Sequence, residues 1–279
     1  MNKPNLSIIV AGIRNYNWVK LYESIQKSTS DSFEVIFVGP QDVPVELKSY
    51  LNIKYIRDLG SPTRCAQLGA TLCEGEFLAW AADDGIVCPN IFDSIMQCFR
   101  DMEDKYGLTE KNVVVTKYTE GSGEGMEYDY YYKLNRAFPK SPYVNDDWWI
   151  FNSAIFYRSY FDKLGGWDCR FATPTCSHGD LAIRTQRDEA NVYMLDKSFI
   201  HCEHLKDTDG DHAPIHCSQA YYDMPLYEKI HNDPNNINRI NIPLDNWKNA
   251  PPIWSLRFEI TPQGIQFRQN ITILKNKED

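Results

Sequence analysis

Glu74-Gly75-Glu76-Phe77-Leu78-Ala79-Trp80-Ala81-Ala82-Asp83-Asp84-Gly85 is the stretch that decides the fold. From Glu76 to Ala82 it is short, mostly apolar and flanked by glycines, which predicts a buried strand. That strand stops at two adjacent carboxylates. In parallel α/β sheets, ligands bind beyond the carboxyl ends of the strands. Hard oxygen donors such as Asp83 and Asp84 suit Mn²⁺ or Mg²⁺, which can bridge to a phosphorylated substrate. Asp84-Gly85 reads equally well as a plain turn after a strand.

Outward from this segment, strands and helices alternate. Leu6–Ala11, Phe33–Val38, Ile53–Ile56 and Val113–Thr116 are apolar runs rich in β-branched residues and predict strands. Trp18, Leu21, Tyr22 and Ile25 fall on one face of a helix, as do Phe92, Ile95, Met96 and Phe99. Ser61-Pro62 supplies a cap and a first-turn proline for a helix reaching about Leu72. The expected fold class is α/β, a mainly parallel central sheet flanked by helices. From Thr119 to about Asp147 the pattern gives way to Gly, Tyr, Asp and Pro, an insertion of loop or lid character. Trp149–Arg158 resumes as a strand and Tyr160–Leu164 as a short helix. Asp180 to about Glu189 follows as a second helix, then Val192–Leu195 and Phe199–His201 as short strands. Residues 1–217 read as one domain and 218–279 as a helical and irregular extension packed on it.

Bulk properties exclude several classes. The 279 residues carry 29 Lys and Arg against 38 Asp and Glu, a net charge of −9. That balance speaks against a nucleic-acid partner, since phosphate backbones need a basic surface. No apolar run approaches the roughly 18 residues of a membrane span, so no transmembrane segment is expected. The eight cysteines form no C-x-x-C pair, which favours reduced thiols and a cytoplasmic setting over a disulfide scaffold or a zinc ribbon.

Two motifs then add specificity. Arg64-Cys65-Ala66-Gln67-Leu68-Gly69-Ala70, leading through Glu74-Gly75-Glu76 to Asp83-Asp84, resembles the nucleotide-sugar half of family 2 glycosyltransferases with the GT-A fold. Leu164-Gly165-Gly166-Trp167-Asp168, with Phe171, is similar to that family's acceptor-side segment. His178-Gly179-Asp180-Leu181-Ala182-Ile183-Arg184 is similar to its acidic helix start. The resemblance covers roughly the first 200 residues. It implies a nucleotide-sugar half at about 1–117 and an acceptor half at 118–217. Two departures stand out: Phe37-Val38-Gly39-Pro40 replaces the acidic pair that contacts the nucleobase, and Ser177-His178 replaces the first two acids of the second motif.

The resemblance implies transfer of a sugar from a nucleotide-diphospho-sugar donor to a hydroxyl of a glycan or other acceptor, with inversion and with Mn²⁺ or Mg²⁺. Asp84 is the expected metal ligand, joined by His201 and, as second choice, His204. Asp83, Ala11, Gly12, Arg14 and Arg64 are expected around the nucleotide and its diphosphate. Gly12 would admit close backbone approach, and the two arginines would pair with phosphate. Asp180 is the expected general base, His178 the substitute; Asp180 could instead cap the following helix. His212 and His216 could close over the diphosphate. Tyr128, Tyr130, Tyr131, Tyr132, Asp146, Asp147 and one of Trp148 and Trp149 are candidates for an acceptor wall, the other Trp for core. Two alternatives remain: a sugar-1-phosphate nucleotidyltransferase, and a carbohydrate-binding protein that keeps the fold without the chemistry.

Overall fold

The computed structural model describes residues 3–121, 148–203, 209–236 and 238–268, with the backbone alone of 128–129 and 132–133. Strands β1 (Leu6–Ala11), β2 (Phe33–Gly39), β3 (Ile53–Arg57) and β4 (Phe77–Ala81) run parallel in the order β3-β2-β1-β4. Helices α1 (Trp18–Gln26) and α2 (Pro62–Ala70) are the crossovers. Successive residues Ile8, Ile9 and Val10 point to opposite faces, yet all are buried, so the sheet is covered on both sides. This is why β1 and β4 read as continuous apolar runs. Ser61 caps α2, its hydroxyl accepting from Arg64 N at 3.3 Å with Pro62 behind it.

The second half comprises β5 (Gly85–Val87), α3 (Ile91–Tyr106), β6 (Asn112–Gly121), β7 (Tyr128–Asp129), β8 (Tyr132–Lys133), β9 (Trp149–Ile150), β10 (Ala154–Tyr157), α4 (Arg158–Leu164), α5 (Pro174–Arg187) and β11 (Asn191–Glu203). The sheet continues β4-β10-β6-β11-β5; β10 is antiparallel to both neighbours and β5 to β11. Three boundaries differ from the sequence expectation. The strand foreseen over Trp149–Arg158 is two: β9 pairs with β8 outside the main sheet, and β10 lies inside it. The two strands foreseen after Val192 are one, β11, with register shifts between Leu195 and Ser198 and between Ser198 and His201. Helix α5 opens at Pro174, behind Thr173, not at Asp180.

Helices α6 (Asp209–Ser218) and α7 (Met224–Asn232) are joined by a π-helical turn, Gln219–Asp223. One helical run therefore crosses position 217. The wide turn brings Asp223 inward, where its carboxylate accepts from Thr173 N at 2.8 Å and Ala172 N at 3.1 Å. It thus serves orphan N–H groups at the start of α5. Residues 238–268 return across the first half, with Ile242 N donating to Leu164 O (3.1 Å) and Trp254 N to Leu59 O (2.8 Å). They end in a hairpin, β12 (Phe258–Thr261) and β13 (Gly264–Phe267), where the sequence suggested only helix and irregular chain. Among the described residues, no helix is long and apolar enough to cross a membrane.

Candidate active site

Parallel pairing of β1 with β4 puts their carboxyl ends side by side, so the loop after Ala11 meets the turn after Ala81. Contact there is tight: a Cβ on Gly12 would fall 2.6 Å from the Cβ of Asp83, so only glycine fits. Asp83 is buried, and its Oδ2 accepts from the backbone N–H of Ile13 and of Arg14, both at 2.7 Å. Its Oδ1 takes Arg14 Nη1 at 2.7 Å. Burial pushes the Asp83 carboxyl above its ordinary value, even against the pull of Arg14 and the two N–H groups. Arg14 is lowered by burial, but Asp83, Asp84 and Asp211 together outweigh that and raise it. Asp83 is therefore the latch that shapes the first loop, and its oxygens are taken up by protein.

Asp84 is different. Arg14 Nη1 lies 3.7 Å from its Oδ2, and the His212 ring faces it with Nε2 at 3.8 Å. His212 and Asp211 come from the start of α6, and Asp211 Oδ2 reaches Arg14 Nε at 3.3 Å. Together these residues line a cleft of about 790 Å³, counting the solvent at its mouth, with Ala11, Gly12, Val38, Gly39 and Pro40 on one wall. Arg257, from the C-terminal return, closes another wall. Its position beyond the strand tips is where open α/β sheets bind ligands.

Ala11, Gly12, Arg14, Asp83 and Asp84 are thus brought together as expected from the sequence; Arg64, His201 and Asp180 are not. Arg64 is buried beside the cleft and spent: Nη2 and Nε hold Asp58 at 2.9 and 3.1 Å, and Nη1 donates to the carbonyls of Ala250 (3.0 Å) and Trp247. It ties the C-terminal return to α2 and does not line the cleft. In β11, Cys202 pairs with Gly85 while His201 Nδ1 lies 3.1 Å from Thr119 Oγ1. Side chains alternate along a strand, so the residue turned toward Asp84 is Cys202, not His201. His204 lies outside the described residues, as do the side chains of Tyr128, Tyr130, Tyr131, Tyr132, Asp146 and Asp147. Trp148 and Trp149 are each half-buried against an apolar cluster.

Asp180 sits mid-helix, fully buried, so it is no cap. Its Oδ2 takes Arg184 Nε at 2.7 Å; its Oδ1 takes Arg239, with His231 Nε2 at 3.2 Å. Burial alone would raise this carboxyl, but Arg184, Arg239 and His231 hold it well below the usual range. Arg184 also donates to the carbonyls of Leu164 and Gly166, and Arg239 to Asp168, so the knot fixes the Gly165-Gly166 turn. A carboxylate so engaged has no lone pair aimed at a substrate.

His178, two residues back toward the start of α5, has the opposite character. Its ring stacks on Trp167 at 5.7 Å and meets the edge of Trp80 at 4.6 Å. Nδ1 is 2.7 Å from the carbonyl of Asn152, which can only accept, so Nδ1 carries the proton and Nε2 is left as a lone pair. That Nε2 is buried without a partner among the described residues. Burial, offset in part by the Asn152 carbonyl, lowers the His178 pKa to about 4. Trp80 lines both the cleft and the small cavity beside His178, so the two spaces share a wall.

The crowding of His and Asp after residue 200 marks Asp211 and His212 in the sequence as potential ligands, and the structure brings both to the cleft. Arg257 carries no such local signal, since it arrives through a chain return of long sequence range.

No family model matches the chain. No curated protein matches it either. Among solved structures, S. aureus TarS aligns with a TM-score of 0.50 at 14% identity, covering 81% of this chain. The chain spans 42% of that protein's length. The 1–349 fragment of S. aureus TarS aligns with a TM-score of 0.52 at 13% identity, covering 95% of this chain and 97% of the fragment. At such identities the likeness is one of architecture. With its mostly parallel sheet, flanking helices and carboxylates at the fourth strand's tip, the molecule has the GT-A fold.

Proposed function

We propose that this chain is a glycosyltransferase that moves a sugar from a nucleotide-diphospho-sugar to a hydroxyl of a glycan or other acceptor, with inversion at the anomeric carbon. The observation that carries this reading is the cleft at the tips of β1 and β4, where Asp84 faces His212 beside Arg14. Three carboxylates and two guanidiniums line it, leaving one net negative charge. A diphosphate is repelled by such a lining unless a further cation joins it. Asp84 and His212 offer an oxygen and a nitrogen within reach of one ion, and a Mg²⁺ or Mn²⁺ that shares its shell with substrate phosphates needs few protein ligands. They are the residues that would hold Mn²⁺ or Mg²⁺, in place of the Asp84–His201 pair expected from the sequence. Among the described residues no three His, Cys, Asp or Glu groups form a metal cage, so any ion held here would depend on Asp84 and His212. Bound there, the ion supplies charge neutralisation for the departing nucleoside diphosphate.

The protein's own residues do the rest. Asp83 holds the Ile13 and Arg14 N–H groups so that the first loop keeps its shape against the nucleotide. Arg14 presents its guanidinium to the diphosphate. The base role passes from Asp180 to His178, whose unpartnered Nε2 is the atom that would take the acceptor hydroxyl's proton as the oxygen attacks the anomeric carbon. Asn152 and Trp167 fix the ring, while Asp180 holds the turn that carries Trp167. All eight cysteines are free thiols, which suits a reducing, cytoplasmic setting. The test is a screen of UDP-, GDP- and dTDP-sugars with mixed glycan acceptors, reading nucleoside diphosphate release. Release from one donor, raised by acceptor and by Mn²⁺, is the expected result. Consumption of a nucleoside triphosphate instead, or no turnover of any donor, would remove the assignment.

A further inference from the structure

Four arginines in the described chain are nearly inaccessible: Arg14, Arg64, Arg184 and Arg257. Three have carboxylate partners within 4 Å, Arg14 with Asp83, Asp84 and Asp211, Arg64 with Asp58, and Arg184 with Asp180. Arg257 has no such ion pair among the described residues. Its Nη2 donates to the backbone carbonyl of Asp211 at 2.7 Å, and its guanidinium carbon lies 5.6 Å from the centre of the Trp254 ring. A guanidinium has five N–H donors, and the remaining ones border the cleft that Arg257 lines.

Burying a cation without a counter-charge is unfavourable. Burial, together with the repulsion of Arg14, pulls the Arg257 pKa down to about 10 against the attraction of the more distant Asp211 and Asp83 carboxylates. The fold nevertheless holds the side chain in place from two sides, through Trp254 and through the Asp211 carbonyl. Asp211 itself bridges the two arginines, its carboxylate on Arg14 and its carbonyl on Arg257. The guanidinium, without an ion pair within 4 Å among the described residues, thus lines the same cleft as Asp84 and the loop after β1.

We propose that Arg257 is an anion-binding residue of the donor site, pairing with a phosphate oxygen of the nucleoside diphosphate, so that the C-terminal return is part of the active site. This deepens the reading of the cleft given above and rests on it. The guanidinium takes the place that the sequence suggested for Arg64, which the structure shows to be consumed by Asp58. Its planar fork matches two phosphate oxygens, whereas an ammonium would supply only a point charge.

The experiment is calorimetric titration of wild type, Arg257→Met and Arg257→Lys with three probes in MgCl₂: the nucleoside diphosphate of the preferred donor, the matching monophosphate, and inorganic pyrophosphate. Thermal melts accompany each variant. We expect wild type to prefer diphosphate over monophosphate. Arg257→Met should weaken diphosphate and pyrophosphate at least about tenfold while leaving the monophosphate within about twofold, and Arg257→Lys should fall between. Equal losses for monophosphate and diphosphate would overturn the inference, making Arg257 a structural support for α6, as would pyrophosphate binding that is absent or unaffected by substitution. Pyrophosphate binding that depends on Arg257 in a protein that takes no nucleotide would keep the anion site and remove the donor reading. If Arg257→Met melts far below wild type, Arg257→Lys carries the same comparison.

Discussion

Two regions of this molecule are built from the same residue types and differ in what is left over. In the second half of the fold, Asp180, Arg184, Arg239 and Asp168 form a knot in which every charge meets an opposite charge or a carbonyl, with His231 Nε2 3.2 Å from Asp180. At the tips of β1 and β4, Asp83 is likewise consumed, but Asp84 and Arg257 keep valency that faces a cleft. Residue type therefore does not separate the two regions; unspent hydrogen-bonding capacity does. An aspartate in a family-like motif can be scaffold, while a histidine two residues earlier retains the free lone pair.

The largest expected effect breaks the closed knot. Asp180→Ala leaves Arg184 and Arg239 buried without their shared partner and should cost about 3–5 kcal/mol of stability, as breaking buried pairs does. Denaturant unfolding measures it. A soluble, fully stable Asp180→Ala protein that had lost only transfer would restore Asp180 to the chemistry and erase the contrast drawn here.

His178→Ala acts on the other kind of residue. It should lower transfer roughly 10²- to 10⁴-fold, the usual worth of a general base, with donor binding unchanged. Its pH signature is specific. The His178 pKa is about 4 in the fold against about 6.5 unfolded, so the unfolded chain binds more protons between those values. This contribution to stability, on the order of 3 kcal/mol, is complete above about pH 6.5 and is lost as pH falls toward 4. The acid limb of kcat/KM should correspondingly lie near 4, not near 6.5. His178→Gln should flatten the stability slope in that window; an unchanged slope would show that the ring is not buried neutral.

The smallest effect lies away from both regions. Ser61→Ala removes the side-chain acceptor at the start of α2 and should cost about 1 kcal/mol without touching nucleotide affinity. Thermal melting with a parallel titration would show whether α2 merely supports the donor half, as the consumed state of Arg64 indicates.

Much of the donor half is legible in the sequence because its signals are local. The apolar runs of β1, β2 and β4, the Ser61-Pro62 start of α2 and the carboxylates after Ala81 each follow from neighbours within a few residues. The acceptor half is less so. Reading Asp180 as a helix start passed over Thr173-Pro174, a cap-and-proline pair as plain as Ser61-Pro62, and with it the i, i+4 spacing of Asp180 and Arg184 that marks a pair on one helix face. The resemblance points to His201, and the strand parity that turns it away becomes readable only once β11 is known to pair with β5 at Cys202 and Gly85. The fate of Arg64 and the arrival of Arg257 both depend on a return of about 190 residues along the chain (Arg64 Nη1 meets Ala250 O across 186). No local pattern encodes that.

The proposed divalent-cation site at Asp84 and His212, which would admit a diphosphate to the cleft, can be tested by calorimetric titration of the preferred nucleotide sugar into wild type, Asp84→Asn and His212→Ala, each with and without Mn²⁺. Mn²⁺ should tighten donor binding at least about tenfold in wild type, and either substitution should abolish that gain while the fold melts as before. Donor affinity in wild type that is indifferent to Mn²⁺, or a full manganese effect surviving in both variants, would contradict it.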